Sequence, residues 1–441
     1  MQMVKATRLD QVYSAFSTRP LAIEELDEYY LNTALARGDN NPRWSIANRL
    51  NHKDTGHLQF LFIGYRGCGK STELNRLQRD VQDRFLVLNY SVQEELDPVH
   101  LNYIELFIVT MERLFKAARE NNLTISEEYL KSVQTWISSR EIQEIRETYI
   151  GNEKDNDHSV EALGRFFEQF RLSAKTSSSL KDVLKTNVEP RLSALINHCN
   201  DLINEIRIQL NRKHRDLLII VEDLDKIPLE RAKDLFLNYA NQLTQLKAKV
   251  IFTFPIAIYH SQHFKEVQSY FSDIYELPMI NVTNSNGTEN EEGITAMHDI
   301  VARRMDIPNL FESPDILKKM ILYSGGVLRD LFLLLREAAD RAMYQDRQKI
   351  NEQDWLRSLQ KMKKEYANNI SDDTFGDRDG LKVEDYYKAL KALLDNPARQ
   401  VENSNAVMHL RQNLSILGYD GEGWCDVHPI LKDILRDRGK I

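Results

Sequence analysis

Short apolar runs, of the length expected for buried strands, alternate along this chain with stretches in which apolar residues recur every three or four positions. These runs predict strands at 60–63, 85–90, 217–221, 249–254 and 274–282. Residues 72–81, between the first two runs, have the helical period. A strand, a helix and a second strand in this order favour a parallel α/β sheet.

The stretch between the second and third strands, residues 96–214, is much longer than a normal crossover, and its pattern is helical. Its last helix carries one apolar stripe with alternating spacings of three and four. The stripe consists of Leu192, Leu195, Ile196, Cys199, Leu202, Ile203, Ile206 and Leu210. We favour a helix that packs within the insertion, and a coiled coil that binds a partner is the alternative.

The loop after the first strand has the pattern of a phosphate-binding loop. Residues 64–71 fit G-x-x-x-x-G-K-[ST] at every fixed position, between a strand and a helix. Glycines let the main chain approach a phosphate closely, and the helix start adds unpaired N–H groups. Lys70 should reach the β- and γ-phosphates, and the Ser71 hydroxyl should ligate Mg²⁺. The predicted nucleotide-binding residues are Gly64, Tyr65, Arg66, Gly67, Cys68, Gly69, Lys70, Ser71 and Thr72.

A cluster of acidic residues, Glu222, Asp223 and Asp225, follows the most apolar strand directly. Carboxylates at the end of a buried strand are costly unless a cation sits there. One of them should hold Mg²⁺ and another should polarise the attacking water. The two roles fall either to Glu222 and Asp223 or to Asp223 and Asp225, while a helix N-cap accounts for Asp225 alone. The predicted metal ligands are Ser71, Glu222 and Asp223.

Two further residues are candidates for contact with the γ-phosphate. Thr253 lies near the end of a predicted strand, where its hydroxyl would act as a sensor, although a simple β-former fits equally well. Arg329 follows a Gly-Gly break at a helix start, where a cation would compensate phosphate charge. A plain surface arginine is the alternative for Arg329. The predicted catalytic residues are Glu222, Asp223, Thr253 and Arg329.

The N-terminal residues 1–58 have a helical pattern that is clearest at 21–36. This segment precedes the first strand, and in P-loop ATPases such a segment often closes over the base. The candidates for that pocket are Tyr29, Tyr30, Arg37 and Trp44. Helix packing and a polar turn are the alternative explanation for the same residues.

Composition limits the compartment and the partners. No apolar run approaches the roughly 20 residues of a membrane span, so we predict no membrane contact. The three cysteines lie far apart, which favours a reducing compartment and a cytoplasmic protein. The net charge of −8 means that DNA contact would need a local basic patch. Residues 381–441 contain nine Lys/Arg and nine Asp/Glu and provide no such patch.

The C-terminal part continues as helices, a polar linker at 367–380, and a tail whose two helices precede two short strands around a glycine turn at 417–427. Helices followed by a β-hairpin suggest a winged helix. In chain order, the loop 64–71, the acidic strand end 218–223, Thr253 and Gly-Gly-x-x-Arg at 325–329 resemble the AAA+/STAND division of P-loop ATPases. They are similar in particular to prokaryotic initiator-like (origin-recognition-like) ATPases with a C-terminal winged helix. This resemblance covers roughly residues 20–110 and 215–440.

The resemblance implies a five-stranded parallel sheet, a nucleotide between core and lid, and ATP with Mg²⁺ as ligands. The expected fold class is an α/β P-loop NTPase core with a long helical insertion, a helical lid and a winged-helix-like domain. The predicted parts are an N-terminal segment (1–58), the ATPase core (59–95 and 215–285), the insertion (96–214), the lid (293–366) and the winged domain (381–441).

One expected feature of such ATPases is missing, because residues 255–288 contain no arginine that could serve as a finger for a neighbouring subunit. Slow hydrolysis, as in a molecular switch, therefore fits better than a motor. We predict a slow ATPase that acts on a protein partner, with a homo-oligomer as an option. The resemblance implies signalling or antiviral defence. The alternatives are a DNA-binding initiator or loader and a nucleotide-binding scaffold without turnover.

Overall fold

The apolar runs form one sheet in the computed structural model of the chain, which describes residues 4–52, 56–150, 158–372, 380–419 and 423–441. Its strands are β1 (Leu58–Ile63), β2 (Phe85–Ser91), β3 (Asp216–Glu222), β4 (Lys249–Phe254) and β5 (Asp273–Glu276). The strand order is β2-β3-β4-β1-β5, and all neighbouring pairs are parallel. The predicted α/β fold class with a five-stranded parallel sheet is therefore confirmed.

The register of the sheet brings the carboxyl ends of the central strands together. Ile63 pairs with Phe254, and Ser91 pairs with Glu222. The loop after β1, the acids after β3 and Thr253 on β4 therefore share one edge of the sheet. Ligands of open α/β sheets bind at this edge.

The last strand is shorter than the sequence predicts, since β5 ends at Glu276 and not at residue 282. Pro278 has no N–H for a ladder. The amide of Asn281 donates instead to the carbonyl of Ala36, 2.9 Å away in the N-terminal segment. Asn281, within the predicted strand, thus holds the N-terminal segment through a main-chain hydrogen bond.

The N-terminal segment also differs from its prediction. Residues 21–36 form the short turns Ile23–Glu25 and Leu26–Tyr29, and Tyr30 is extended, so the predicted continuous helix is wrong. The main chain at Leu21 is held by helix Lys70–Val81, because its N–H donates to Thr72 Oγ1 (3.2 Å) and its carbonyl accepts from Asn75 Nδ2 (2.8 Å). Tertiary hydrogen bonds at this point outweigh the weak local helical preference.

The helices up to the end of the insertion are α1 (Val12–Ala15), α2 (Leu26–Tyr29), α3 (Pro42–Leu50), α4 (Lys70–Val81), α5 (Val92–Glu95), α6 (Tyr103–Glu120), α7 (Glu127–Ile137), α8 (Arg140–Ile145), α9 (Val160–Thr176), α10 (Ser178–Val183) and α11 (Leu192–Asn211). The whole apolar stripe of α11 is buried, in one hydrophobic core with the sheet. This agrees with a helix that packs within its own chain, and the buried stripe is not open to a partner.

The insertion contains a fully buried acid, Glu105 on α6. Its Oε2 accepts from the Asn102 N–H (2.8 Å), and Lys181 Nζ lies 3.8 Å from its Oε1. Burial, which outweighs the nearby Lys181, raises the pKa of Glu105 to about 7. The folded protein therefore retains the Glu105 proton at pH values where an unfolded chain has lost it.

Replacing Glu105 with glutamine is expected to raise the free energy of unfolding by up to about 3 kcal/mol at pH 8, and by under about 1 kcal/mol at pH 5. The pKa of Glu105 is higher in the folded protein than in the unfolded chain, so the wild type loses stability as the pH rises toward 7. The glutamine side chain is neutral at both pH values and avoids that loss. Urea unfolding at the two pH values measures the difference. The exposed Glu128→Gln should show no such pH dependence, and an equal effect of Glu105→Gln at both pH values would contradict the assignment.

The remaining helices complete the core, the lid and the winged domain. They are α12 (Leu229–Lys233), α13 (Ala240–Leu243), α14 (Ile256–Tyr259), α15 (Phe264–Gln268), α16 (Glu291–Arg304), α17 (Ile307–Leu310), α18 (Pro314–Tyr323), α19 (Leu328–Tyr344), α20 (Glu352–Asn368), α21 (Val383–Asp395), α22 (Asn405–Gln412) and α23 (Pro429–Asp437). The antiparallel strands β6 (Ile416–Tyr419) and β7 (Trp424–Val427) form the hairpin between α22 and α23, as a winged helix requires. Residues 420–422 of the predicted glycine turn and residues 373–379 of the predicted linker lie outside the described residues.

The lid, the winged domain and the first residues of the chain share a second hydrophobic core. Ala6 forms a parallel bridge with Met305 at the end of α16. Between lid and winged domain, the ring of His428 stacks on Tyr366, whose hydroxyl donates to Asp330. Residues of the N-terminal segment and of the lid line one cleft together with the loop after β1. The two parts form two walls of this cleft.

Candidate functional site

The phosphate loop begins where β1 ends and runs into α4. Lys70, the first residue of that helix, is buried, and its Nζ donates to the carbonyls of Gly64 (2.8 Å) and Tyr65 (2.9 Å). Gly67 has φ +76°, and a Cβ there would lie 2.7 Å from the Cβ of Arg329. Only glycine permits this approach of lid and loop.

Asp225 is the ionic partner of Lys70, with 2.8 Å between Nζ and Oδ2. Both side chains are almost completely buried. Burial opposes both charges, but their attraction outweighs it, so that the pKa of Lys70 is raised and the pKa of Asp225 is lowered. In this structure Asp225 is therefore paired with the lysine of the phosphate loop.

Glu222 is the last residue of β3 and lies next to Ser71 at the start of α4. Its carboxylate accepts hydrogen bonds from the Ser71 side chain and from Asn89 Nδ2, the latter at 2.8 Å. Burial raises the pKa of Glu222 to about 7, against the effect of both hydrogen bonds. A hydroxyl and a buried carboxylate side by side are the hard oxygen donors that suit Mg²⁺.

Asp223 has an unusual backbone, with φ +69°. Its Oδ2 accepts from Ser91 Oγ at 2.5 Å, and its Oδ1 is paired with Lys226. The sequence leaves two pairs of acids open, Glu222 with Asp223 and Asp223 with Asp225. In the structure, Glu222 lies beside Ser71, whereas Asp225 is paired with Lys70.

Thr253 is buried at the end of β4. Its Oγ1 accepts from the Leu224 N–H (3.0 Å) and lies 3.4 Å from the Val221 carbonyl, to which it donates. The hydroxyl is thus used to fix the main chain around the acidic residues. Its role as a sensor remains a prediction.

Arg329 stands at the start of α19 and lines the cleft together with Lys70. Among the described residues, no hydrogen bond or ion pair of its guanidinium is found. It acts electrostatically on Lys70 and on Arg66, a loop residue whose Nη2 donates to the Lys226 carbonyl (2.9 Å). The positive charge of Arg329 therefore lies close enough to those of Lys70 and Arg66 to affect both at this loop.

The Gly-Gly break before Arg329 serves packing. A Cβ on Gly326 would lie 1.9 Å from the Ile280 carbonyl oxygen, and one on Gly325 would lie 2.7 Å from Leu417 of the winged domain. The break thus lets the lid pack closely on the core and on β6 at the same time.

The cleft above the loop encloses about 970 Å³ of space, a figure that includes the open solvent at its mouth. Three of the four predicted base-pocket residues, Tyr29, Tyr30 and Arg37, line it. Arg37 is fully buried and donates to the carbonyls of Cys68 (2.7 Å) and Pro278. Trp44 does not line this cleft and is 62% exposed, which makes it a surface residue of α3.

The winged domain contacts the phosphate loop directly. Tyr65 is 1% exposed, and its hydroxyl accepts a hydrogen bond of 2.7 Å from Arg411 Nη1 on α22. A Cβ at Gly418 would lie 2.8 Å from the same hydroxyl oxygen. The Tyr419 hydroxyl donates to the Gly325 carbonyl (2.8 Å), next to the lid break. The loop, the lid and the winged domain thus meet at one point.

The basic residues near the C-terminus are engaged within the domain. Lys432 is paired with Asp426, and Arg436 Nη1 lies 3.2 Å from Asp433. The helix α22, which precedes the hairpin as a recognition helix does, uses Arg411 to hold the core. Lys432, Arg436 and Arg411 thus each have a partner within the protein.

Sequence reasoning missed the residues that reach the site from a distance. Asn89 is a polar residue in an apolar strand, which is a usable signal. Arg304, at the end of α16, lines the cleft as well. Arg411 and its contact with Tyr65 have no local signature, since 346 positions separate the two residues.

Among the described residues, no group of three or more His, Cys, Asp or Glu side chains has the arrangement of a metal site. Mg²⁺ at a phosphate site needs only one or two protein ligands, because phosphate and water supply the others. Within the described part of the chain, no helix has the length and apolar character to cross a membrane.

No protein-family model and no curated protein matches this sequence. Solved structures of similar fold include the Aeropyrum pernix ORC2 protein in its ADPNP–ADP complexes, at 10% identity and TM-score 0.41, covering 97% of this chain and 98% of that one. The A. pernix ORC1 protein in complex with DNA has 12% identity and TM-score 0.40, with 96% and 98% covered. A Walker-type ATPase of Pyrococcus abyssi has 12% identity and TM-score 0.43, with 96% and 99% covered.

Proposed function

We propose that this protein is an ATP-binding, slowly hydrolysing molecular switch, in which the bound nucleotide controls the winged domain. The single observation that carries the switch is the hydrogen bond of Arg411 to Tyr65, because it joins the winged domain to the loop that grips phosphate. A nucleotide that reshapes this loop would change the contact, and the contact in turn would bias nucleotide release.

The nucleotide lies along the cleft in this proposal, with its phosphates on the loop. Lys70 exchanges its Asp225 partner for phosphate oxygens, and Arg329 adds a positive charge from the lid. Closure of the lid then depends on the γ-phosphate. Loss of that group on hydrolysis weakens the hold of the lid.

Mg²⁺ fits beside Ser71 and Glu222, and when bound it would neutralise phosphate charge. Asp223 is the residue that we assign to orienting the attacking water. Its carboxylate is engaged by Ser91 and Lys226, which limits its availability and favours slow turnover. A slow rate suits a switch, because the ATP state then persists.

In this proposal, the winged domain acts on a protein partner once the change of nucleotide state releases it. The biological setting would be signalling or antiviral defence. Two observations support a protein over DNA. Lys432 and Arg436 of the winged domain are ion-paired, and its α22 faces the ATPase core. A homo-oligomer is compatible with the same mechanism.

Replacing Arg411 with methionine is expected to speed the release of bound ADP by roughly tenfold or more, because a hydrogen bond to a charged group is worth about 1.5–3 kcal/mol. Stopped-flow fluorescence with a labelled ADP measures the rate. Tyr65→Phe, which deletes only the hydroxyl, should act in the same direction.

The control variant is Arg438→Met, which removes an exposed arginine of the same domain that donates to Tyr387. It should leave ADP release unchanged. If Arg411→Met and Arg438→Met release ADP equally slowly, the winged domain does not control the nucleotide and the switch proposal fails.

A further inference from the structure

The cleft is also lined by a buried arginine of the lid that has unused hydrogen-bond donors. Arg304, the last residue of α16, is 5% exposed and lines the cleft. Its Nη1 donates to the carbonyls of Ile300 (3.0 Å) and Tyr29 (3.4 Å). Among the residues described, neither Nε nor Nη2 has a hydrogen-bond partner, and Nε is fully buried.

This arginine has no ion pair in the described part of the chain. Glu25, which acts on it electrostatically, is paired with Arg19. Burial lowers the pKa of Arg304 to about 10, the direction expected for a cation without adequate compensation. A buried donor that lacks an acceptor costs about 1–3 kcal/mol, so a retained one calls for a functional explanation.

Aromatic rings flank the guanidinium. Its carbon lies 5.3 Å from the ring centre of Phe332 on the lid and 5.9 Å from that of Tyr29 in the N-terminal segment. The side chain is thereby held between two walls of the cleft, in a fixed orientation that suits directional hydrogen bonding.

Arg304 belongs to a different part of the cleft from the phosphate-binding cations. Arg329 acts electrostatically on Lys70 and on Arg66, whereas the charged neighbours of Arg304 are Glu25 and Arg303. A nucleotide with its phosphates on the loop therefore extends its base toward the Arg304 end.

We propose that Arg304 recognises the nucleobase by donating a hydrogen bond to an acceptor nitrogen on the base edge, beside Phe332. An arginine offers donors only, and the ring nitrogens of a purine are acceptors of matching geometry. This inference rests on the proposed nucleotide binding and adds the residue that distinguishes a base from a bare polyphosphate.

The test compares MgATP with magnesium tripolyphosphate, which has the phosphates without sugar or base, by isothermal titration calorimetry. Arg304→Met keeps the length and the apolar contact but removes the donors, and it is expected to weaken ATP binding about tenfold or more. Its affinity for tripolyphosphate should change less than about twofold. Arg303→Met is the matched control, because this exposed neighbour donates to the Glu28 carbonyl outside the cleft and should leave both affinities unchanged.

A second measurement starts from the wild type and changes the nucleotide. The 1-, 3- and 7-deaza analogues of ATP each lack one acceptor nitrogen, and the wild type should bind one of them about tenfold more weakly than ATP. Arg304→Met should lose that discrimination. The assignment would be overturned if Arg304→Met lost affinity for ATP and for tripolyphosphate equally. It would also be overturned if the wild type bound ATP and all three analogues with equal affinity.

The outcomes separate this inference from the function it rests on. If the wild type binds neither ATP nor tripolyphosphate, the proposed nucleotide binding is wrong. If it binds both and Arg304→Met retains wild-type affinity for ATP, only the role of Arg304 is wrong.

Discussion

Replacing Lys70 with alanine is expected to weaken ATP binding by roughly 100-fold or more. Lys70 is the buried cation at the start of α4, within the loop whose main chain it already contacts. A charge-assisted contact with phosphate in such a site is worth about 3 kcal/mol. Titration with a fluorescent ATP analogue measures the loss.

The same substitution leaves Asp225 as a buried carboxylate without its partner, so Lys70→Ala alone is also expected to destabilise the fold by about 3–5 kcal/mol. The double variant Lys70→Ala/Asp225→Asn removes both charges and should recover most of that stability, as measured by urea unfolding. It should still fail to bind ATP. If the double variant folds normally and binds ATP like the wild type, residues 64–71 are not a phosphate site.

Replacing Glu222 with glutamine is expected to lower ATP hydrolysis by roughly 100-fold while the protein still binds ATP. The amide keeps an acceptor for Asn89 but no longer provides a charged oxygen beside Ser71. Steady-state phosphate release measures turnover, and nucleotide titration measures binding. The variant should also be more stable at pH 8, because burial disfavours the Glu222 charge.

Glu105→Gln provides a matched control for Glu222→Gln. Both acids are buried, and burial raises the pKa of each to about 7, but Glu105 lies in the insertion. Both variants should gain stability at pH 8, and only Glu222→Gln should lose turnover. Unchanged hydrolysis in Glu222→Gln would show that Glu222 is a structural acid and that the metal side of the site lies elsewhere.

The sequence by itself determined those parts of this protein whose functional residues are close together along the chain. The loop 64–71 lies between a strand and a helix as predicted, and β4 has the predicted bounds, Lys249–Phe254. The acids at 222–225 lie at the same sheet edge because parallel strands place their carboxyl ends together. A hydrophobic period and a fixed motif are local properties, so they can be recognised without knowing the tertiary contacts of the residues.

The long insertion was predictable in length and helical content but not in its packing. Its stripe from Leu192 to Leu210 is a pattern that fits either a partner or the chain's own core. Only the tertiary structure shows that the stripe is buried in the core of the sheet. Hydrophobic burial has no preferred direction, so periodicity alone does not identify what covers a face.

The tertiary structure alone decided which side chains meet. Residues 21–36 lost their predicted helix because α4 holds the main chain at Leu21. The acids were visible as a cluster, yet the fold assigned Asp225 to Lys70 and placed Glu222 beside Ser71. Arg411 reached Tyr65 across most of the chain, since hydrogen bonds and ion pairs depend on distances in space that no local pattern records.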